Sequence, residues 1–222
     1  MARHFIEDLN RLQDQMLEMA GLVETGIHSA VESLVQRSEP LAQEVLVNEG
    51  RINQLEIEID DGVMQMLALQ SPVASDLRLV RAIGKIGTDL ERMGDMAVNI
   101  VERSLALIRQ PAVKPLIDIP QMANLTEFMV RSSIDSFVRR NAELARGVLV
   151  SDDAVDDLRD TVYKDLMDFM QNDPSTIPAA INLMFVARNL ERIADHATNI
   201  AEDTLFLIEG VDVRHARPHP RH

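Results

Sequence analysis

The chain repeats itself, and the repeat limits its folds more than any other feature. Aligned at a shift of 100, the segment Leu90 to Ile108 meets Leu190 to Ile208 with eleven identities in nineteen positions. The shared residues are Leu90-Glu91-Arg92, Asp95, Ala97, Asn99-Ile100, Glu102, Leu105 and Leu107-Ile108, with their counterparts. A second match, at a shift of 103, pairs Ile52 with Val155, Leu55 with Leu158 and Ile59 with Val162. The change of offset falls between helices, where length is free to vary. A unit of about a hundred residues written twice builds one local architecture twice, and whatever its surface does is done twice.

Helical periodicity fills both copies, and proline with small polar residues marks the breaks. The pattern predicts an all-α fold of six helices. The first spans about 5–37 and ends before Ser38-Glu39-Pro40, where Ser38 can cap the second (41–70) and Pro40 can sit in its first turn. Ser71-Pro72 separates it from the third (75–109). Three prolines in eleven residues, Gln110 to Pro120, read as a link. The fourth helix is expected over 121–150, the fifth from Ser151-Asp152 to Asn172, and the sixth from Pro178 to Gly210. This gives a three-helix bundle over 1–110, a linker over 111–120, a second bundle over 121–212 and a disordered tail over 213–222. Gly84, Gly87, Gly94 and Ala97 would let the third helix approach its neighbours closely, and the methionines read mostly as core filling.

Charge and composition narrow the function. The 222 residues carry 36 acidic and 22 basic side chains, a net charge of −14 shared by both halves. Neither half has a basic arm, which disfavours direct binding to nucleic acid or an anionic membrane surface. Without cysteine, any metal must be held by oxygen or imidazole. The N-terminus lacks the apolar run of a signal peptide, and charge-free stretches such as 62–75 are shorter than a membrane span. A cytoplasmic protein is expected.

Acids four residues apart are the most informative side chains. Glu91 with Asp95 and Glu191 with Asp195 each lie about 6 Å apart along a helix face. At 100° per residue they fall on a flank of the apolar stripe, as do Glu49, Asn53, Glu56 and Asp60 on the second helix, and Asp152 with Asp156 on the fifth. Two acidic flanks can thus meet where the second and third helices of each copy pack. Converging oxygen donors suit Mg²⁺, Mn²⁺ or Fe, or Zn²⁺ if His196 joins. A solvated acidic face is the plainer alternative. His4 and His28 have no acidic cluster assigned to them.

The blocks Ser75-Asp-Leu-Arg-Leu-Val-Arg81, Asp89-Leu-Glu-Arg-Met-Gly-Asp95, Asn189-Leu-Glu-Arg-Ile-Ala-Asp-His-Ala-Thr-Asn-Ile200 and Val211-Asp-Val-Arg-His215 resemble the PhoU family of phosphate-transport regulators, over essentially the whole chain. The resemblance implies a homodimer of paired three-helix bundles that negatively regulates the phosphate-starvation response. Such a protein acts as a non-catalytic adaptor between the phosphate ABC transporter, through its ATPase subunit, and a sensor histidine kinase. It also implies metal at Glu49 and Asn53, Glu91 and Asp95, Asp152 and Asp156, and Glu191 and Asp195. Asn53 departs from the family pattern by offering an amide where an acid is expected, which weakens the first-copy set. Two other readings are a carboxylate-bridged metal enzyme, although no Glu-x-x-His motif is present, and a metal-free helical scaffold.

Overall fold

The structure, a computed structural model, describes residues 2–110 and 118–213. Among these residues lie six α-helices and no strand: α1 (Ala2–Val35), α2 (Glu39–Gln70), α3 (Ala74–Ile108), α4 (Asp118–Val138), α5 (Ala142–Asn172) and α6 (Ile177–Glu209), with a 3-10 turn at Pro174–Thr176 before α6. Helices α1, α2 and α3 pack mutually, as do α4, α5 and α6, and the two sets meet where α3 lies against α6 and α1 against α4. The expected linker and tail fall largely on residues outside those described.

The repeat is legible in the core. At a shift of 103, buried Ala42, Val45, Ile52, Ile59 and Val63 of α2 meet buried Ala145, Val148, Val155, Val162 and Leu166 of α5. The same shift places Met19, Ala20, Ile27, Val31 and Leu34 of α1 on Met122, Ala123, Val130, Ile134 and Phe137 of α4. At a shift of 100, Leu90, Met93, Ala97, Ile100 and Leu107 of α3 fall on Leu190, Ile193, Ala197, Ile200 and Leu207 of α6, all buried. Each fully buried large aliphatic side chain contributes about 1.5–3 kcal/mol, so these matched stripes fix both bundles. In α3 the small residues work as expected. A side chain added at Gly87 or Gly94 would come within 3.3 Å of Ile59 or Ile52, so α2 rests directly on the α3 backbone.

One boundary differs from the sequence expectation. The break between α4 and α5 lies at Arg139-Arg140-Asn141, not at Ser151, whose hydroxyl instead donates to the Gly147 carbonyl in the middle of α5. The turn copies the one between α1 and α2. Arg37 and Arg140 both take left-handed backbone (φ 54° and 49°), and the next amide closes back five residues, Ser38 to Ser33 and Asn141 to Ser136, each at 2.9 Å. The caps differ, because Asn141 Oδ1 accepts from the Leu144 amide at 3.0 Å whereas Ser38 occupies the cap position without a side-chain capping bond. α4 starts at Asp118, so Pro120 lies in its first turn rather than in the link. Met64 and Met167, equivalent by the 103 shift, are exposed rather than core.

Candidate functional site

The carboxylates singled out by spacing lie where α2 faces α3 and where α5 faces α6. In the first unit the carboxyl of Glu91 is shifted. Burial raises its carboxyl above the usual range, Asp95 and, from α2, Glu56 raise it further, and Arg92 and His196 act against them. Arg92 lies 3.5 Å from Glu91 and 3.7 Å from Asp95 but is itself exposed. Glu49 is half-buried on α2, and Asn53 is exposed.

In the second unit more acids act on one carboxyl. Asp195 is pushed up to about 6 by desolvation first, then by Glu191, Asp152 and Asp156, with His196 opposing. The residue as a whole is exposed, so solvent screening tempers that push. Between the two helices lies Arg159, whose Nη1 is 2.8 Å from Asp156 Oδ1 and 3.0 Å from Glu191 Oε1, while Nη2 reaches Asp160 at 2.8 Å. Its side chain is only 20% exposed. Burial works against its charge, but Asp160, Asp156 and Glu191 outweigh that and hold the guanidinium above its ordinary value.

Arg159 is the functional-row residue that spacing arguments passed over. The 103 shift places it on Glu56, so one acid position of the first row is a cation in the second. Fitting a metal therefore meets a different obstacle from the one the sequence suggested: besides Asn53 in the first row, a guanidinium spans the second. Among the described residues no group of three or more His, Asp or Glu side chains is arranged to hold a metal ion. His196 turns away to the seam, with Nδ1 2.7 Å from Asp89.

The α3–α6 and α1–α4 seams are also built on the repeat. Glu24 meets Arg131 at 3.2 Å and Glu127 meets His28 at 3.3 Å, and these two pairs exchange under the 103 shift, so α1 and α4 cross about a local two-fold axis. His28 thus has an acidic partner across the units. On the other seam Lys85 Nζ lies 2.8 and 3.0 Å from the two oxygens of Asp203, a residue 3% exposed, with Arg81 3.6 Å away. Under the 100 shift that pair becomes Phe185 and Arg103, which meet as a ring and a cation 5.2 Å apart.

With two units of matching helices and core positions in place, comparison with known proteins decides the family. The family model described as the PhoU domain matches residues 16–104 and 119–204. The chain belongs to the PhoU family. The PhoU homolog of Aquifex aeolicus, named a phosphate-specific transport system accessory protein, is 41% identical over 94% of this chain and 95% of its own length. The Pseudomonas aeruginosa PhoU homolog, of the same name, is 36% identical over 97% and 89%. The crystal structure of PhoU from Pseudomonas aeruginosa superposes with a TM-score of 0.91, covering 93% of this chain and all of that one. The PhoU structure from Streptococcus pneumoniae, titled a phosphate transport system regulatory protein, gives 0.86 at 28% identity over 94% and 99%. Its relatives are accessory and regulatory proteins, and PhoU is a non-catalytic family, which removes the carboxylate-bridged enzyme reading. No helix among the described residues is long and apolar enough to cross a membrane.

Proposed function

We propose that this chain is a cytoplasmic accessory protein of a phosphate transport system, which restrains high-affinity phosphate uptake and the phosphate-starvation response. It acts as a homodimeric, non-catalytic adaptor between the ATPase subunit of a phosphate ABC transporter and a sensor histidine kinase. The observation that carries this reading is the match of both repeats, in order and over nearly the full length, to relatives named for that transport system. Open helical surfaces whose charged groups largely pair with one another suit docking better than turnover. The test is a deletion strain grown in high phosphate. Phosphate-responsive genes are expected to be expressed there; if they stay silent with transporter and kinase intact, the reading fails.

Metal belongs to this proposal conditionally. Glu49, Asn53, Glu91 and Asp95, and Asp152, Asp156, Glu191 and Asp195, are the residues that would hold iron, zinc, manganese or magnesium, which would supply a positive charge between paired helices. In the second row Arg159 must first release Asp156 and Glu191. The metal-free scaffold reading is favoured by that same guanidinium. Elemental analysis of untagged protein separates the two: metal lost on combining Glu191→Ala with Asp195→Ala supports a second-row site, and metal unchanged by it supports the scaffold there.

A further inference from the structure

The local two-fold relation between α3 and α6 leaves two equivalent notches along their seam, with opposite chemistry. One is lined by Lys85, Thr88, Asp89, Asn199, Glu202 and Asp203. Its charges largely satisfy each other: Lys85 grips both oxygens of Asp203, and Asp89 receives His196 at 2.7 Å and Asn199 at 3.2 Å. The other, about 220 Å³ in volume, is lined by Asn99, Arg103, Phe185, Arg188, Asn189 and Arg192. Three arginines and two asparagines are among its six lining residues, and none of those six is acidic; Glu102, the counterpart of Glu202, lies beside it at 4.0 Å from Arg103.

We infer that this second notch is an oxyanion site that takes a phosphate group, either free phosphate or the phosphate of a small ester. Three like charges on one concave surface repel one another, and a dianion seated among them converts that repulsion into attraction. Guanidinium forks match the oxygens of a tetrahedral anion with paired N–H donors, which an ammonium cannot do. The arrangement is partly held in place. Arg103 lies 5.2 Å from the Phe185 ring and makes a loose, exposed ion pair with Glu102 at 4.0 Å. Asn189, only 8% exposed, donates one amide hydrogen to the Phe185 carbonyl at 2.7 Å and keeps a second. A net charge of −14 makes three arginines around one notch, with no acid among the residues that line it, a local exception, and the opposite notch shows that equivalent positions can instead carry Asp89 and Asp203.

The biological weight of the site rests on the regulatory reading, but its chemistry does not, and the test uses purified full-length protein without partners. Calorimetric titration at fixed ionic strength with inorganic phosphate and, separately, with glycerol phosphate is expected to give saturable binding, with a dissociation constant on the order of 1 mM for at least one of them. Tighter binding of inorganic phosphate assigns the free ion, and tighter binding of glycerol phosphate assigns an ester. The exposed pair Arg188→Gln and Arg192→Gln together is expected to weaken binding about tenfold or more, and Thr88→Ala in the opposite notch to leave it unchanged. Should the double variant not fold, Arg192→Gln alone carries the same expectation with a smaller loss. Absence of saturable binding to either probe up to ~20 mM, or arginine variants that bind as tightly as the unaltered protein, overturns the inference. A chain that represses without binding phosphate thus fails this inference alone, and one that binds without repressing fails only the regulatory reading.

Discussion

The two units share a core and differ at their charges. The buried stripes of α2 and α5, and of α3 and α6, share most of their positions, with exceptions at the ends such as buried Met66 against exposed Phe169, yet Glu56 of the first row becomes Arg159 in the second, and the Lys85–Asp203 pair becomes Phe185 and Arg103. Packing explains the contrast. A core position must keep its volume or leave a cavity, while a flank position beside solvent tolerates reversal of charge when its neighbours can adjust. The frame of a duplicated bundle is thus conservative and its rims are free, so the two units can present different chemistry from one backbone.

That contrast can be broken or sharpened by substitution. The largest effect is expected from Lys85→Met, which strands the Asp203 carboxylate with Arg81 at 3.6 Å as its remaining cation. A loss of about 2–4 kcal/mol should follow in urea unfolding. Arg159→Ala should cost about 1–3 kcal/mol by the same measurement, since it leaves Asp156, Asp160 and Glu191 without the bridging guanidinium. If the second row differs from the first chiefly by that guanidinium, Mn²⁺ should also raise the melting temperature of this variant more than that of the unaltered protein. Arg103→Met, at the position equivalent to Asp203, removes a cation–π contact and an exposed ion pair with Glu102 and should cost about 0.5–1 kcal/mol; a loss equal to that of Lys85→Met would erase the contrast between the notches.

The smallest effect is a gain. Because the folded protein raises the Asp195 carboxyl from 3.8 to about 6, ionising it opposes folding. That penalty is absent below the unfolded value and complete above the folded one. In chelator-treated protein Asp195→Asn should therefore raise the melting temperature by about 1–3 °C at pH 8, with the gain fading as the pH falls from about 6 towards 3.8.

Most of the frame was legible in sequence because burial leaves a period. The 3.6-residue stripes gave the number of helices and the bounds of four of them to within a few residues, and the 103 offset, followed upstream from Ile52 and Val155, carries Ser38 onto Asn141 and marks the α4–α5 turn. A capping argument at Ser151 misplaced it, since a serine can equally bond the carbonyl four residues back inside a helix, as this one does to Gly147. The acidic flanks were legible as well. Arg159 was not, because a search for acids four apart passes over the cation between them, and the long-range pairs Lys85–Asp203 and Asp89–His196 depend on how two units cross, which no local spacing records.

That crossing has a thermodynamic consequence. α3 and α6 make the most extensive helix–helix contact in the molecule, so each completes its own trio while also serving as a wall for the other. Neither half ends in a finished surface. Melting should accordingly sweep through both halves as one cooperative transition, and a polypeptide stopped at residue 110 would expose an oily flank that invites self-association rather than behave as an independent half-protein.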